Sequence, residues 1–311
     1  MITKKKTSQY FYEYFEEWIK IYKKGAIRSV TYQKYLMTLQ RLTELAPNLK
    51  LCDLDKRSYQ TLLNDYAETH EKQTTMDFHH HLKSAILDAV DEGLVTTDPT
   101  RKIIIKGKPT TRQKNKFLSQ FELQCLLKNL NLAQEINWDW FILLIAKTGL
   151  RFSEALALTP NDFDFSMQRI SITKTWNYKN VDGGFAETKN ASSKRTIQID
   201  PQLSSQLSTL FDGITGDTLI FVRSRVFNST VNDRLKAICK TAEIPVISLH
   251  SLRHTHASLL IFAGVSVASI ARRLGHSSIT TTQETYLHII RELENLDNDK
   301  IMRHLSTLMF V

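Results

Sequence analysis

The chain has 311 residues, 42% of them hydrophobic, with only 10 Gly and 6 Pro. That is enough for two domains with cores of their own and excludes a low-complexity or fibrous chain. Lys and Arg outnumber Asp and Glu by 41 to 32, a net charge of +9 that favours polyanionic partners through counterion release. No apolar run approaches the ~18 residues of a membrane span, so no membrane partner is expected. The N-terminus MITKKKTSQY leads into aromatic residues and not into a signal-peptide core. Cys52, Cys125 and Cys239 are odd in number and lack CxxC spacing; they read as reduced thiols of a cytoplasmic protein.

In chain order, Phe11, Tyr14, Phe15, Trp18, Ile21 and Tyr22 recur at helical spacing and predict an amphipathic helix ended by Gly25. Tyr32, Tyr35, Leu36, Leu39 and Leu42 mark a second helix that stops before Pro47. A third carries Tyr59, Leu62, Leu63 and Tyr66. The fourth runs roughly from Thr74 to Glu92 on Met76, Ala85, Ile86, Ala89 and Val90, with Gly93 as its stop signal. Its His79-His80-His81 run reads as helix surface. Residues 1–100 therefore form a small helical bundle. Between Arg101 and Lys116 stand seven Lys or Arg and no Asp or Glu, with Gly107 and Pro109 opposing regular structure. This segment is either a solvated linker or a strap laid along a phosphate backbone.

Beyond it, Ser119 and Glu122 have the spacing of a capping box, opening a helix through Leu130. Another helix spans Asn137 to Lys147 and breaks at Gly149. Alternation in residues 169–173 and again in 195–199 predicts two strands with a turn-rich segment between them, and the chain from Ser229 onward is helical in period. The whole is mainly α with a small antiparallel β-sheet.

Several residues carry chemistry. Arg151 follows the Gly149 break, and Glu154 three residues on can hold its guanidinium in the fixed orientation that a phosphate clamp requires. A lone arginine satisfying nearby carbonyls is the competing reading. His250 and Arg253 share one helical face. His254 adds an i, i+4 histidine pair suited to zinc, but no HExxH, Cys pair or matching carboxylate accompanies it, so no metal and no cofactor is expected. His276 follows Gly275 and precedes Ser277, a helix N-cap candidate. Tyr286, ten residues later, is either a core residue or a nucleophile activated by cationic neighbours.

The set Arg151, His250-x-x-Arg253, His276 and Tyr286, set in TGLRFSEALAL, LHSLRHTHASLL and LGHSSITTTQETYLH, resembles the tyrosine recombinase family, the lambda-type integrases of phages and mobile elements. The resemblance covers about Phe117 to His288. It implies a helical, SAM-like core-binding DNA domain at 1–100, a basic interdomain linker at 101–116, and a catalytic domain at 117–311 whose C-terminal helix, within Asp297 to Val311, docks on a neighbouring protomer; packing of that helix on its own domain is the competing reading. It also implies a site-specific recombinase that cuts and rejoins double-stranded DNA at attachment core sites through a 3′-phosphotyrosine on Tyr286. The arginines would neutralise the phosphate, His250 would assist proton transfer at the tyrosine, and His276 would bond a phosphate oxygen. Lys189, with Lys179 and Lys194 as rivals, would protonate the leaving 5′-oxygen.

The partners implied are a homotetramer on DNA, an excisionase and a host DNA-bending protein. The hairpin around Lys189 and the ten-residue spacing from His276 to Tyr286 favour an integrase of a mobile element or prophage over a Xer-like dimer resolvase. A DNA-binding regulator without chemistry and a type IB topoisomerase are the other readings. Only Lys4-Lys5-Lys6 is available for contacts with distal arm sites.

Overall fold

A computed structural model describes residues 8–109, 117–180, 182–188, 190–286, and residues 302, 305 and 306. Lys4 to Lys6, Lys189 and most of the terminal segment from Asp297 lie outside the described residues. The chain divides into two compact units, Met1–Gln113 and Lys114–Val311. Among the described residues no helix is long and apolar enough to cross a membrane.

Among its described residues the first unit contains four α-helices: α1 (Phe11–Tyr22), α2 (Ser29–Leu45), α3 (Lys56–Ala67) and α4 (Lys72–Asp91). Each turns its apolar stripe inward, so that Phe11, Phe15, Ile19, Leu42, Tyr59, Leu63, Leu82 and Ile86 are almost fully buried together. Asp55 caps α3, accepting from the Arg57 and Ser58 amides at 2.9 and 2.8 Å. The histidine run departs from its surface reading. Only His80 is exposed, whereas His79 is buried against the Tyr59 hydroxyl at 2.9 Å and His81 meets the Thr38 hydroxyl at 2.8 Å. Three successive residues cover most of a helical turn, so one of them must point inward. The described half of the basic segment is tied down: the Gln60 side-chain amide donates to the Ile104 carbonyl and accepts from its N–H, both at 2.8 Å.

The second unit is built around α6 (Trp138–Thr148), whose Phe141, Ile142, Leu144 and Ile145 are buried on all sides. Before it comes α5 (Gln120–Lys128), opened by the predicted box: the Glu122 amide donates to the Ser119 hydroxyl, and the Ser119 amide to the Glu122 carboxylate. Then follow α7 (Phe152–Leu156), β1 (Phe163–Asp164), β2 (Arg169–Ile172), β3 (Lys174–Trp176), β4 (Phe185–Glu187), β5 (Arg195–Gln198), α8 (Pro201–Leu210), α9 (Asn228–Thr241), α10 (Leu249–Phe262) and α11 (Val267–Leu274). A further helical stretch occupies residues 279–286.

The sheet has order β1-β2-β5, all antiparallel, with Ile170 opposite Ile197 in the core. The segment expected to be turns contains a second hairpin, β3 with β4, pairing Lys174 with Glu187 and Trp176 with Phe185. Its strands are three residues long, too short for alternation to register.

Candidate active site

Two helix ends meet over the C-terminus of α6. Gly149 ends α6 in the left-handed conformation, φ +69°, and Gly275 ends α11 the same way. A Cβ on Gly149 would stand 2.8 Å from the His256 ring, and one on Gly275 would stand 2.8 Å from Arg195, so both glycines are also required by close approach. These turns leave carbonyl groups facing the arginines. Arg253, on α10 and 3% exposed, donates through Nη1 to the Gly149 carbonyl and through Nη2 to the Leu274 carbonyl, both at 2.7 Å. Arg151, at the N-cap of α7, donates to the Gly275 carbonyl at 2.9 Å and to Glu154 at 2.6 Å.

Arg195, which the sequence reading treated only as a strand residue, enters the same cluster. It bridges both Glu154 oxygens at 3.2 and 3.0 Å and donates to the Arg273 carbonyl at 2.6 Å. Arg273 in turn donates to His256 Nε2 at 2.9 Å, while His256 Nδ1 faces the Ala146 carbonyl at 3.1 Å, which fixes the Nδ1–H tautomer.

Arg151, Arg195 and Arg253 thus surround a single buried carboxylate, Glu154. Burial opposes the charge on Glu154, but the Arg195 bonds and the charges of Arg195 and Arg151 outweigh it and hold its carboxyl below the ordinary value. The positive excess contributes to the shifts of Arg253, His250 and His276. Burial, reinforced by Arg151, pulls Arg253 down to about 9, with Glu154 acting in the opposite sense. Burial, then Arg253 and Arg151, lowers His250, and the same causes push His276 down to about 4. A buried cluster short of negative charge is matched by an anion that brings its own.

His276 Nδ1 lies 2.7 Å from the Thr282 hydroxyl. The next helical stretch is capped by Ser278, which accepts from the Thr280 amide at 3.1 Å, and not by the expected Ser277. Tyr286, 2% exposed, packs with Ala257, Ile261, Ile270 and Leu274 along the seam of α10 and α11. Burial raises its hydroxyl to about 12, despite the opposing pull of Arg253. Its partner is His254 Nδ1 at 2.9 Å, one turn beyond the His250 to which the family resemblance gave proton transfer at the tyrosine. The His250 and His254 rings stand edge to face, centroids 4.7 Å apart.

The fold therefore brings Arg151, His250, Arg253, His276 and Tyr286 to one region, and adds Arg195 and His254. Lys189 lies outside the described residues; its rivals Lys179 and Lys194 are exposed. Among the described residues no three His, Cys, Asp or Glu side chains come together as a metal site.

Residues 116–292, more than half of the chain, match the sequence model of the phage integrase family. The chain belongs to that family. This integrase-family chain is 31% identical over 240 residues to the ICEBs1 integrase of Bacillus subtilis, covering 70% of the chain but 62% of that relative's length. It is 24% identical over 320 residues to the integrase of Staphylococcus phage L54a, covering 91% and 90%. Its fold matches the Tn1549 transposon integrase solved in complex with a circular intermediate DNA, with a TM-score of 0.76 and 17% identity over 93% of this chain and all of that one.

Proposed function

We propose that this integrase-family chain cuts and rejoins DNA at paired core sites, for the integration and excision of a mobile element or prophage, with Tyr286 as nucleophile. The observation that carries the reading is the buried tyrosine hydroxyl beside a guanidinium cluster that exceeds its one carboxylate. The similarity to relatives named as integrases, one of ICEBs1 and one of a Staphylococcus phage, supports the biological setting.

In this reading a backbone phosphate enters the cluster, and Arg151 and Arg253 neutralise its nonbridging oxygens as the pentacoordinate transition state forms. Both guanidiniums are held by carbonyls at helix ends, so they need no reorganisation to receive it. His276, kept neutral by burial, offers a ring N–H to a phosphate oxygen while Thr282 fixes the ring. Tyr286 attacks, leaving a 3′-phosphotyrosine and a 5′-hydroxyl, and Lys189 supplies the leaving oxygen with its proton. The ester keeps the bond energy, so rejoining requires no external energy source. A tetramer on two duplexes, an excisionase and a host DNA-bending protein complete the proposed assembly.

The test is covalent capture on a nicked suicide duplex. Wild-type chain should give a protein–DNA adduct, and Tyr286→Phe should bind the same site and give none. An adduct of undiminished yield from Tyr286→Phe would sink the assignment.

A further inference from the structure

We infer that His254 is a catalytic residue, the base that takes the proton of Tyr286 as the tyrosine attacks the phosphate. The inference rests on the reading of Tyr286 as nucleophile. Its starting point is geometric. Tyr286, 2% exposed, packs with Ala257, Ile261, Ile270 and Leu274, and its hydroxyl has His254 Nδ1 at 2.9 Å. A hydroxyl in that seam cannot shed its proton to bulk water while the seam is closed, so the group already bonded to it is the one that receives it.

The other basic groups nearby are committed elsewhere. Arg253 and Arg151 are donors with no lone pair to offer, and both are turned to carbonyls or to Glu154. His276 presents Nδ1 to Thr282. His250 lies on the exposed turn before His254 and meets it ring edge to ring face. His254 and Tyr286 are fixed from two directions, since α10 carries the imidazole and the 279–286 stretch carries the phenol.

The step balances. Tyr286 Oη forms a bond to phosphorus and the bond from phosphorus to the 5′-oxygen breaks; the Oη proton moves to His254 Nδ1, and the 5′-oxygen takes a proton from the acid assigned to Lys189. In rejoining, the imidazolium returns its proton to the tyrosine oxygen as the 5′-hydroxyl attacks. The groups whose charge bears on His254 are His250 and Arg253 on its own helix, His276 after α11, and Tyr286 opposite.

The experiment measures single-turnover adduct formation by the full chain on the nicked duplex between pH 5.5 and 9. His254→Asn places an amide near the position of Nδ1 and can hold the hydroxyl without accepting its proton; His254→Gln serves if the first variant fails to fold. The expected result is DNA binding as in wild type, a rate lower by about 10²- to 10⁴-fold, and loss of the rise with pH through the imidazole range. A rate within a few-fold of wild type, or an unchanged pH profile, overturns the inference. So does transfer of the lost pH limb to His250→Asn, which would make His250 the base. An adduct from Tyr286→Phe would overturn the nucleophile reading and this one together, whereas a null Tyr286→Phe beside a fast His254→Asn would overturn this one alone.

Discussion

In the first unit buried His79 meets the Tyr59 hydroxyl and half-buried His81 the Thr38 hydroxyl, and burial lowers both imidazoles toward the neutral form. In the second unit Glu154 lies under Arg151 and Arg195, and Arg253 has its two terminal nitrogens on backbone carbonyls. Neutral pairs satisfy their own hydrogen-bonding needs and only shape a scaffold. Buried charge that carbonyl dipoles relieve only in part stores electrostatic potential, which the phosphate of the proposed reaction would discharge. The difference separates a unit whose polar core serves packing from one whose polar core is held ready for a ligand.

The hardest way to break this contrast is to remove the negative charge buried in the arginine cluster. Glu154→Gln strands Arg195, 7% exposed at its side chain, and should cost about 3–5 kcal/mol; urea unfolding of the full chain reads it, and a loss under 1 kcal/mol would mean that the cluster is already balanced. Arg253→Lys keeps the charge but cannot span the Gly149 and Leu274 carbonyls together, so adduct formation should fall about 10²- to 10³-fold. A rate near wild type would put the clamp elsewhere.

Tyr59→Phe in the first unit leaves His79 unpaired and should cost about 1–3 kcal/mol, with the cleavage rate of bound complexes unchanged. Acid separates the units further. Burial pushes His79 and His276 down to about 4 and His256 to about 3, so below the ordinary value of 6.5 the unfolded chain binds protons that the folded chain refuses. Stability from these groups is complete above pH 6.5 and falls as pH drops toward 4. The double variant Tyr59→Phe, His79→Leu should remove only the His79 share of the loss between pH 7 and pH 5 in thermal unfolding. The smallest effect belongs to the α6 cap: Asn137 accepts from the Asp139 and Trp140 amides, and Asn137→Ala should cost about 1 kcal/mol.

Much of this was legible in the linear chain. The stripes of α1 and α4, the Ser119 box and the Gly149 break each depend on residues within one or two turns, and local spacing reports local geometry. The site's own residues were legible because Arg151, His250, Arg253, His276 and Tyr286 stand in ordered motifs. His79 escaped because inward and outward positions look alike when three histidines follow one another. The β3–β4 hairpin escaped because three residues are too few to show a period.

Sequence alone thus determined the mainly helical plan, the family resemblance and the residues proposed to meet a phosphate. Tertiary structure alone decided who holds them. Backbone carbonyls carry no side-chain signature, so nothing in the chain marks Gly149, Leu274 and Gly275 as anchors for Arg253 and Arg151. Arg195 reaches Glu154 across 41 residues, and Tyr286 finds His254 instead of His250, because contact between α10 and the 279–286 stretch is fixed by how they pack and not by their separation in the chain.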